Sequence, residues 1–172
     1  MPGTEPPTLI TADDTLRLRP VRLSDDIAPA VTWYHDPEVL RLTQGEGTPP
    51  FDAVMVERMF QIMSTRCEVF IIEVREDETW HPIGDASLCA TAGTPITIGD
   101  AHHRSRGLGR QVLNLLIARA WNLGWPAMVV SGVYTDNPRA RRLYEGAGFR
   151  ITGTIPAEAD RSQWTMELRL AD

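Results

Sequence analysis

Apolar residues recur along the chain with two different periods, and the alternation between them outlines the fold. Leu16-Arg17-Leu18-Arg19-Pro20 alternates apolar and basic residues, the signature of a strand buried on one face. Ser24-Asp25-Asp26 supplies oxygen acceptors for free N–H groups and predicts a helix from there to about Tyr34. Asp36-Pro37-Glu38 repeats the signal, with aspartate as cap and proline at the first helical position, for a short helix carrying Val39, Leu40 and Leu42. Residues 44–50 contain Gly45, Gly47, Pro49 and Pro50 and predict a loop. An amphipathic helix follows from Phe51 or Asp52, with Val54, Met55, Met59, Phe60 and Ile62 apolar.

Residues 67–74 are rich in β-branched and aromatic residues, which predicts a strand buried on both faces. Polar residues 75–81 read as the turn of a hairpin, 82–90 as its second strand, and 95–99 as a strand entering a glycine-rich segment. Val112, Leu113, Leu116, Ile117, Ala120 and Leu123 then fall at helical spacing, with Gly124 and Pro126 as the stop. Residues 127–133 predict another buried strand. Asn137 and Pro138 open a helix to Ala147, and Gly148 ends it. Residues 149–155 and 163–170 close the chain as strands, the last either finishing the sheet or pairing across a homodimer. Residues 1–12, rich in proline and threonine, are expected to be a disordered lead-in, and 13–172 a single domain.

Charge changes this picture by splitting the chain in two. Residues 1–100 carry seven arginines against seventeen acids, and residues 101–172 carry ten against six. The second part suits an anionic ligand and the first a cationic one. The overall net charge of −6, with few aromatics among the arginines, argues against nucleic-acid binding. No apolar run reaches the roughly 18 residues of a membrane span, so no membrane partner is expected. Cys67 and Cys89 are too few for a disulfide framework; buried free thiols in a reducing cytoplasm are the expectation. The four histidines show no ligand spacing, so no metal is expected.

Candidate chemistry centres on Arg104-Ser105-Arg106-Gly107-Leu108-Gly109-Arg110. Glycines there leave successive backbone N–H groups open, and the following helix N-terminus adds its dipole, a combination that attracts oxyanions. The segment is not a P-loop, since the chain has no lysine. Nor is it a dinucleotide fingerprint, since Val112 stands where a third glycine would.

A second segment, Asn137…Leu143-Tyr144-Glu145…Gly148-Phe149, follows about thirty residues later. In that order and at that separation, the two resemble the GCN5-related N-acetyltransferase (GNAT) superfamily. The resemblance is close over residues 95–155, and looser over the first ninety residues, in the manner of the ribosomal-protein N-terminal acetyltransferase branch. It implies an α/β fold with a mostly antiparallel central sheet flanked by helices. The implied activity is acetyl-CoA-dependent transfer to a primary amine, on a small molecule or a protein N-terminus, by direct attack in a ternary complex.

The resemblance also assigns roles. Backbone N–H groups of Arg106, Gly107, Leu108, Gly109 and Arg110 would hold the pyrophosphate, with Ser105 in the same loop and Arg104 and Arg106 as side-chain support. Thr97, Ile98 and Gly99 would pair with the pantetheine arm, the Ile98 N–H polarising the thioester carbonyl. Asn137 would contact the cofactor, Arg142 among its neighbours would meet the ribose 3′-phosphate, and Tyr144 would protonate the leaving thiolate. Relatives acting on peptide α-amines carry a glutamate five residues before the asparagine; here that position is Gly132. Asp85, Glu73, His102 and His103 are the remaining base candidates. Trp33-Tyr34-His35, with Asp36, Glu38, Glu46 and the 44–50 loop, would face the acceptor. The rival reading is a non-catalytic acyl-CoA sensor or interaction module, which would keep the glycine loop and dispense with Tyr144.

Overall fold

The computed structural model describes residues 5–91, 93–158 and 161–170. Five antiparallel strands form the first sheet in the order β1 (Leu9–Ile10), β2 (Leu16–Pro20), β3 (Cys67–Glu76), β4 (Thr79–Cys89) and β5 (Ile96–Ile98). Three more form a second sheet, in which β8 (Ser162–Arg169) lies between β6 (Ala127–Tyr134) and β7 (Arg150–Pro156). Helices α1 (Leu23–Trp33), α2 (Pro37–Thr43) and α3 (Ala53–Ser64) precede the β3–β4 hairpin, α4 (Leu108–Asn122) follows β5, and α5 (Pro138–Gly146) follows β6.

Two apolar clusters show how these layers hold together. Leu16, Phe70, Ile72 and Ile83 on the first sheet meet Val112, Leu113 and Leu116 of α4 and Met128, Val130 and Met166 of the second sheet. A single core therefore spans both sheets, although their ladders do not join. The opposite face of β3, through Val69 and Ile71, packs against Trp33, Tyr34, Val56 and Phe60 from α1 and α3. This two-sided burial is what the predominantly apolar residues 67–74 predict, with Val69 to Ile72 consecutive and apolar.

Several expectations are corrected. The β3–β4 turn is only Asp77-Glu78, both at positive φ (46° and 64°), the backbone a two-residue hairpin requires. Helix α1 is capped by Arg22 without a side-chain bond; Ser24 instead bonds Asp25, and Asp26 accepts from the Arg22 N–H. Within the supposed lead-in, Leu9 and Ile10 pair with Leu18 and Arg17, while residues 1–4 lie outside the described residues. Strand β8 has both edges occupied, so it offers no ladder across a dimer. Cys67 and Cys89 are not free thiols: directly opposite in the β3–β4 register, they form a disulfide. Their separation of 22 residues concealed that adjacency. Among the described residues, no helix is long and apolar enough to cross a membrane.

Candidate active site

The site lies where the two sheets part, between β5 and β6. Gly84 lets β5 approach β4, since a Cβ there would stand 1.9 Å from the Thr97 carbonyl oxygen. The Ser87 N–H donates to Pro95 O, and alternation along an antiparallel ladder then turns the backbone of Thr97 inward towards Asp85. Ile96 and Ile98 turn theirs outward, away from β4. Of the three residues expected to pair with pantetheine, Ile98 therefore presents its N–H to the gap, whereas Thr97 spends its backbone on β4. Gly99 is required by Trp33, whose Cγ would lie 2.1 Å from a Cβ at that position. Trp33 is accordingly buried against the strand and does not face an acceptor.

Arg104 is placed differently from the sequence expectation. Its Nε donates to Ile98 O at 2.9 Å and its Nη2 to Gly99 O at 2.7 Å, while Asp36 pairs with it at 2.7 Å and Glu38 at 3.7 Å. The guanidinium is committed to holding the end of β5 and tying it to α2, not directed at a phosphate. Arg104 and hydrogen bonds from its own helix keep the Asp36 carboxyl below the usual carboxylate range, against the opposing effect of partial burial. Sequence alone gave no sign of this clamp, because Asp36 reads fully as a helix cap.

Beyond Arg104 the loop opens to solvent. Ser105 and Gly107 both adopt left-handed backbone (φ 62° and 80°), and Gly107 is the N-cap of α4 with no side-chain bond. In the first turn of α4 the N–H groups of Leu108 and Gly109 have no intrahelical acceptor, while that of Arg110 donates to Gly107 O at 3.1 Å. Arg106 and Arg110 are exposed beside them, and Leu108 and Gly109 are half-buried. A Cβ on Gly109 would meet Leu143 at 3.5 Å, and one on Gly146 would meet Arg110 Nη1 at 2.7 Å. The glycine loop and α5, far apart in sequence, thus lie against each other.

Asn137 caps α5, its Oδ1 accepting from the Ala140 N–H at 3.1 Å. With Arg142, Arg139, Asp136, Arg41 and Glu38 it lines a cavity of about 240 Å³ between α5 and α2. Arg141 instead pairs with Glu145 at 3.0 Å and covers Trp164. Asp136 is held by Arg161 at 2.8 Å and Arg41 at 3.2 Å, and Glu46 approaches Arg41 at 3.9 Å, so acids and arginines alternate around the mouth. A larger cavity of about 510 Å³ surrounds Cys67 and Trp125 but includes none of the loop or α5 residues. The smaller cavity is the one joined to the motifs.

Tyr144 is buried, stacks edge-on to Phe149 and donates its hydroxyl to Thr94 O at 2.8 Å. Burial raises its pKa above the ordinary 10, so it remains protonated at any working pH.

Four base candidates now separate. Both Glu73 oxygens accept from guanidinium groups, Arg17 at 2.6 Å and Arg19 at 2.9 Å. His103 has both ring nitrogens engaged, by Asp100 at 3.0 Å and Glu76 at 3.2 Å, and His102 is exposed at the surface. Gly132 sits at a β-bulge, at φ 95°. Asp85 differs: fully buried, it meets no cation and accepts from Tyr34 Oη at 3.0 Å. Desolvation pushes its carboxyl up to about 7, with the Tyr34 bond opposing.

An outward-facing strand edge lies beside a glycine loop at a helix N-terminus, an arrangement suited to a phosphate-bearing, extended ligand. Residues 15–150 match the family model described as acetyltransferase (GNAT) domain, and the chain belongs to that family; it is an N-acetyltransferase that uses acetyl-CoA as donor. Among solved structures it is similar to a domain from Methanocaldococcus jannaschii (18% identity, TM-score 0.76, 90% of this chain and 98% of that one). It is also similar to spermidine N-acetyltransferase from Vibrio cholerae in complex with CoA and spermine (18%, 0.75, 90% and 95%). A third is aminoglycoside acetyltransferase AAC(6′)-Ib in complex with coenzyme A (18%, 0.73, 91% and 95%). At these identities the likeness is one of fold. No curated protein matches the sequence.

Proposed function

We propose that this acetyltransferase acts on a primary amine, of a small molecule or a polypeptide N-terminus, by direct attack within a ternary complex. The observation that carries the reading is the parted edge of β5, with the Ile98 N–H turned outward beside the open start of α4. Acetyl-CoA supplies an activated acyl group and a pyrophosphate, and the residues present fit both. The N–H groups of Arg106 to Gly109 suit the pyrophosphate, while the Arg110 N–H is taken by Gly107 O; the side chains of Arg106 and Arg110 add charge. Backbone strain at Ser105, of about 1–3 kcal/mol for a non-glycine left-handed residue, is the kind retained where a loop must present its N–H groups.

The Ile98 N–H would stabilise charge developing on the thioester oxygen. Tyr144 would deliver a proton to the leaving sulfur once its hydroxyl turns from Thr94 O. Its raised pKa is less of an obstacle than it looks, because a thiolate released in the same dry site is also driven to take a proton. Asn137 and Arg142 border the cavity and would contact the cofactor there. Glu38 and Asp136 line the same cavity, with Glu46 near Arg41, and supply carboxylates beside the arginines there. That a polyamine and an aminoglycoside are acceptor-type ligands in the names of two similar structures supports the amine class.

The test is release of CoA thiol during turnover of acetyl-CoA with polyamines, aminoglycosides and peptides bearing free or blocked α-amines. Turnover with at least one free primary amine, and none with blocked peptides, is expected. Saturable acetyl-CoA binding without turnover on any amine would favour the sensor reading.

A further inference from the structure

Three hydroxyl- and carboxyl-bearing side chains meet beneath α1. Asp85 and Thr97 are directly opposite in the β4–β5 register, so their side chains share the face that carries Tyr34. Tyr34 Oη donates to Asp85 Oδ2 at 3.0 Å, and the Thr97 hydroxyl lies beside the same phenol. All three are buried. Thr97 is also the residue before Ile98, whose N–H faces the gap. The three groups stand in a row, Thr97, Tyr34 and Asp85, with the phenol donating to the carboxylate.

We propose that Asp85 is the terminal acceptor of the proton lost by the attacking amine, reached through the hydroxyls of Thr97 and Tyr34. The inference rests on the acetyltransferase reading of the same cleft. As the amine nitrogen bonds to the acetyl carbon and the carbon–sulfur bond breaks, Thr97 Oγ1 accepts the amine proton and passes its own to Tyr34 Oη. Tyr34 passes its own to Asp85, and Tyr144 protonates the sulfur. Between turnovers Asp85 releases its proton and Tyr144 regains one, so the sum is amine plus thioester giving amide plus thiol.

The surroundings suit this role. The partner that β3 offers Asp85 is Ile71, the one from β5 is Thr97, and the titratable group facing it from α1 is Tyr34. No guanidinium locks the carboxylate in its charged form, in contrast to Glu73. A carboxyl with only neutral partners in a dry site has a proton affinity near that needed at neutral pH. The phenol stays neutral throughout, because burial and the adjacent carboxylate both oppose its ionisation.

The experiment is the pH dependence of kcat at saturating acceptor for wild type, Asp85→Asn, Tyr34→Phe and Thr97→Val, with acetyl-CoA affinity measured alongside. Wild type should show an acidic limb centred near 7. Asp85→Asn should abolish that limb and lower kcat by about a hundredfold or more, with acetyl-CoA affinity retained. Tyr34→Phe should lower kcat and move the limb to higher pH, since the lost donor had stabilised the carboxylate. If wild type turns over and Asp85→Asn keeps both its rate and its acidic limb, the relay is wrong while the acetyltransferase reading stands. If wild type turns over no amine, the acetyltransferase reading fails and the relay with it.

Discussion

Replacing Asp85 by Asn should destabilise the protein by about 1–3 kcal/mol in acid and stabilise it at alkaline pH. The carboxyl rises from 3.8 to about 7 on burial. Below about pH 3.8 folded and unfolded chains both hold the proton. Between there and about 7 the unfolded chain has lost it while the folded chain keeps it, so stability falls as pH rises through this window and levels off above it. At about 1.4 kcal/mol per pH unit, the ionised side chain opposes folding by on the order of 4 kcal/mol at pH 8. The Asp85→Asn variant escapes this. Its buried amide leaves a donor unpaired, a cost of about 1–3 kcal/mol, but that cost is the same at every pH. Asp36, Asp100 and Asp136, whose carboxyls lie below the usual range, act in both proteins and cancel in the difference. Urea unfolding at intervals from pH 4.5 to 8.5 reads the difference directly. It should grow with pH by several kcal/mol; parallel curves would refute the assignment of a buried, neutral-leaning carboxyl.

Arg104→Met should lower unfolding stability by about 2–3 kcal/mol and reduce kcat, because it frees the carbonyls of Ile98 and Gly99 and strands Asp36. Urea unfolding checks this, and Arg104→Lys should not restore it, lacking the planar fork. Loss of acetyl-CoA affinity alone, with stability unchanged, would return Arg104 to the pyrophosphate. Tyr144→Phe should lower kcat by about a hundredfold or more and stability by about 1 kcal/mol through the lost bond to Thr94 O, with acetyl-CoA affinity unchanged in calorimetry; an unaltered kcat would remove it from the reaction. Thiol titration of the denatured, non-reduced protein should find no reactive thiol, and Cys67→Ser should lower stability by about 3 kcal/mol on the chain-entropy account. Two free thiols would contradict the pairing.

Most elements were legible in the sequence, because periodicity and caps are local signals. Asp36-Pro37, Asp52 and Asn137-Pro138 all begin helices where their side chains can take up free N–H groups. The loop and Tyr144 were legible only through their joint resemblance to a family. What stayed hidden depends on residues brought together across the sheet. The Cys67–Cys89 bond needs the β3–β4 register, and the roles of Glu73 and His103 depend on which charges fold against them. Asp85 reads in sequence as one of four base candidates; the absence of a cation around it among the described residues, and the presence of Tyr34, distinguish it. The Trp33-Tyr34-His35 cluster reads in sequence as either an acceptor surface or core, since aromatic clusters look alike whether they bind or pack. Trp33 packs, and Tyr34 packs while keeping its hydroxyl on Asp85.

Calorimetric titration with acetyl-CoA, and then with CoA lacking the 3′-phosphate, tests the central claim most directly. The account predicts saturable micromolar binding, weakened by loss of that phosphate and abolished by Gly107→Glu, which places a carboxylate at the open N-terminus of α4. No binding at millimolar acetyl-CoA would mean that the loop and the parted strands are structural, and the catalytic account of this cleft would fall.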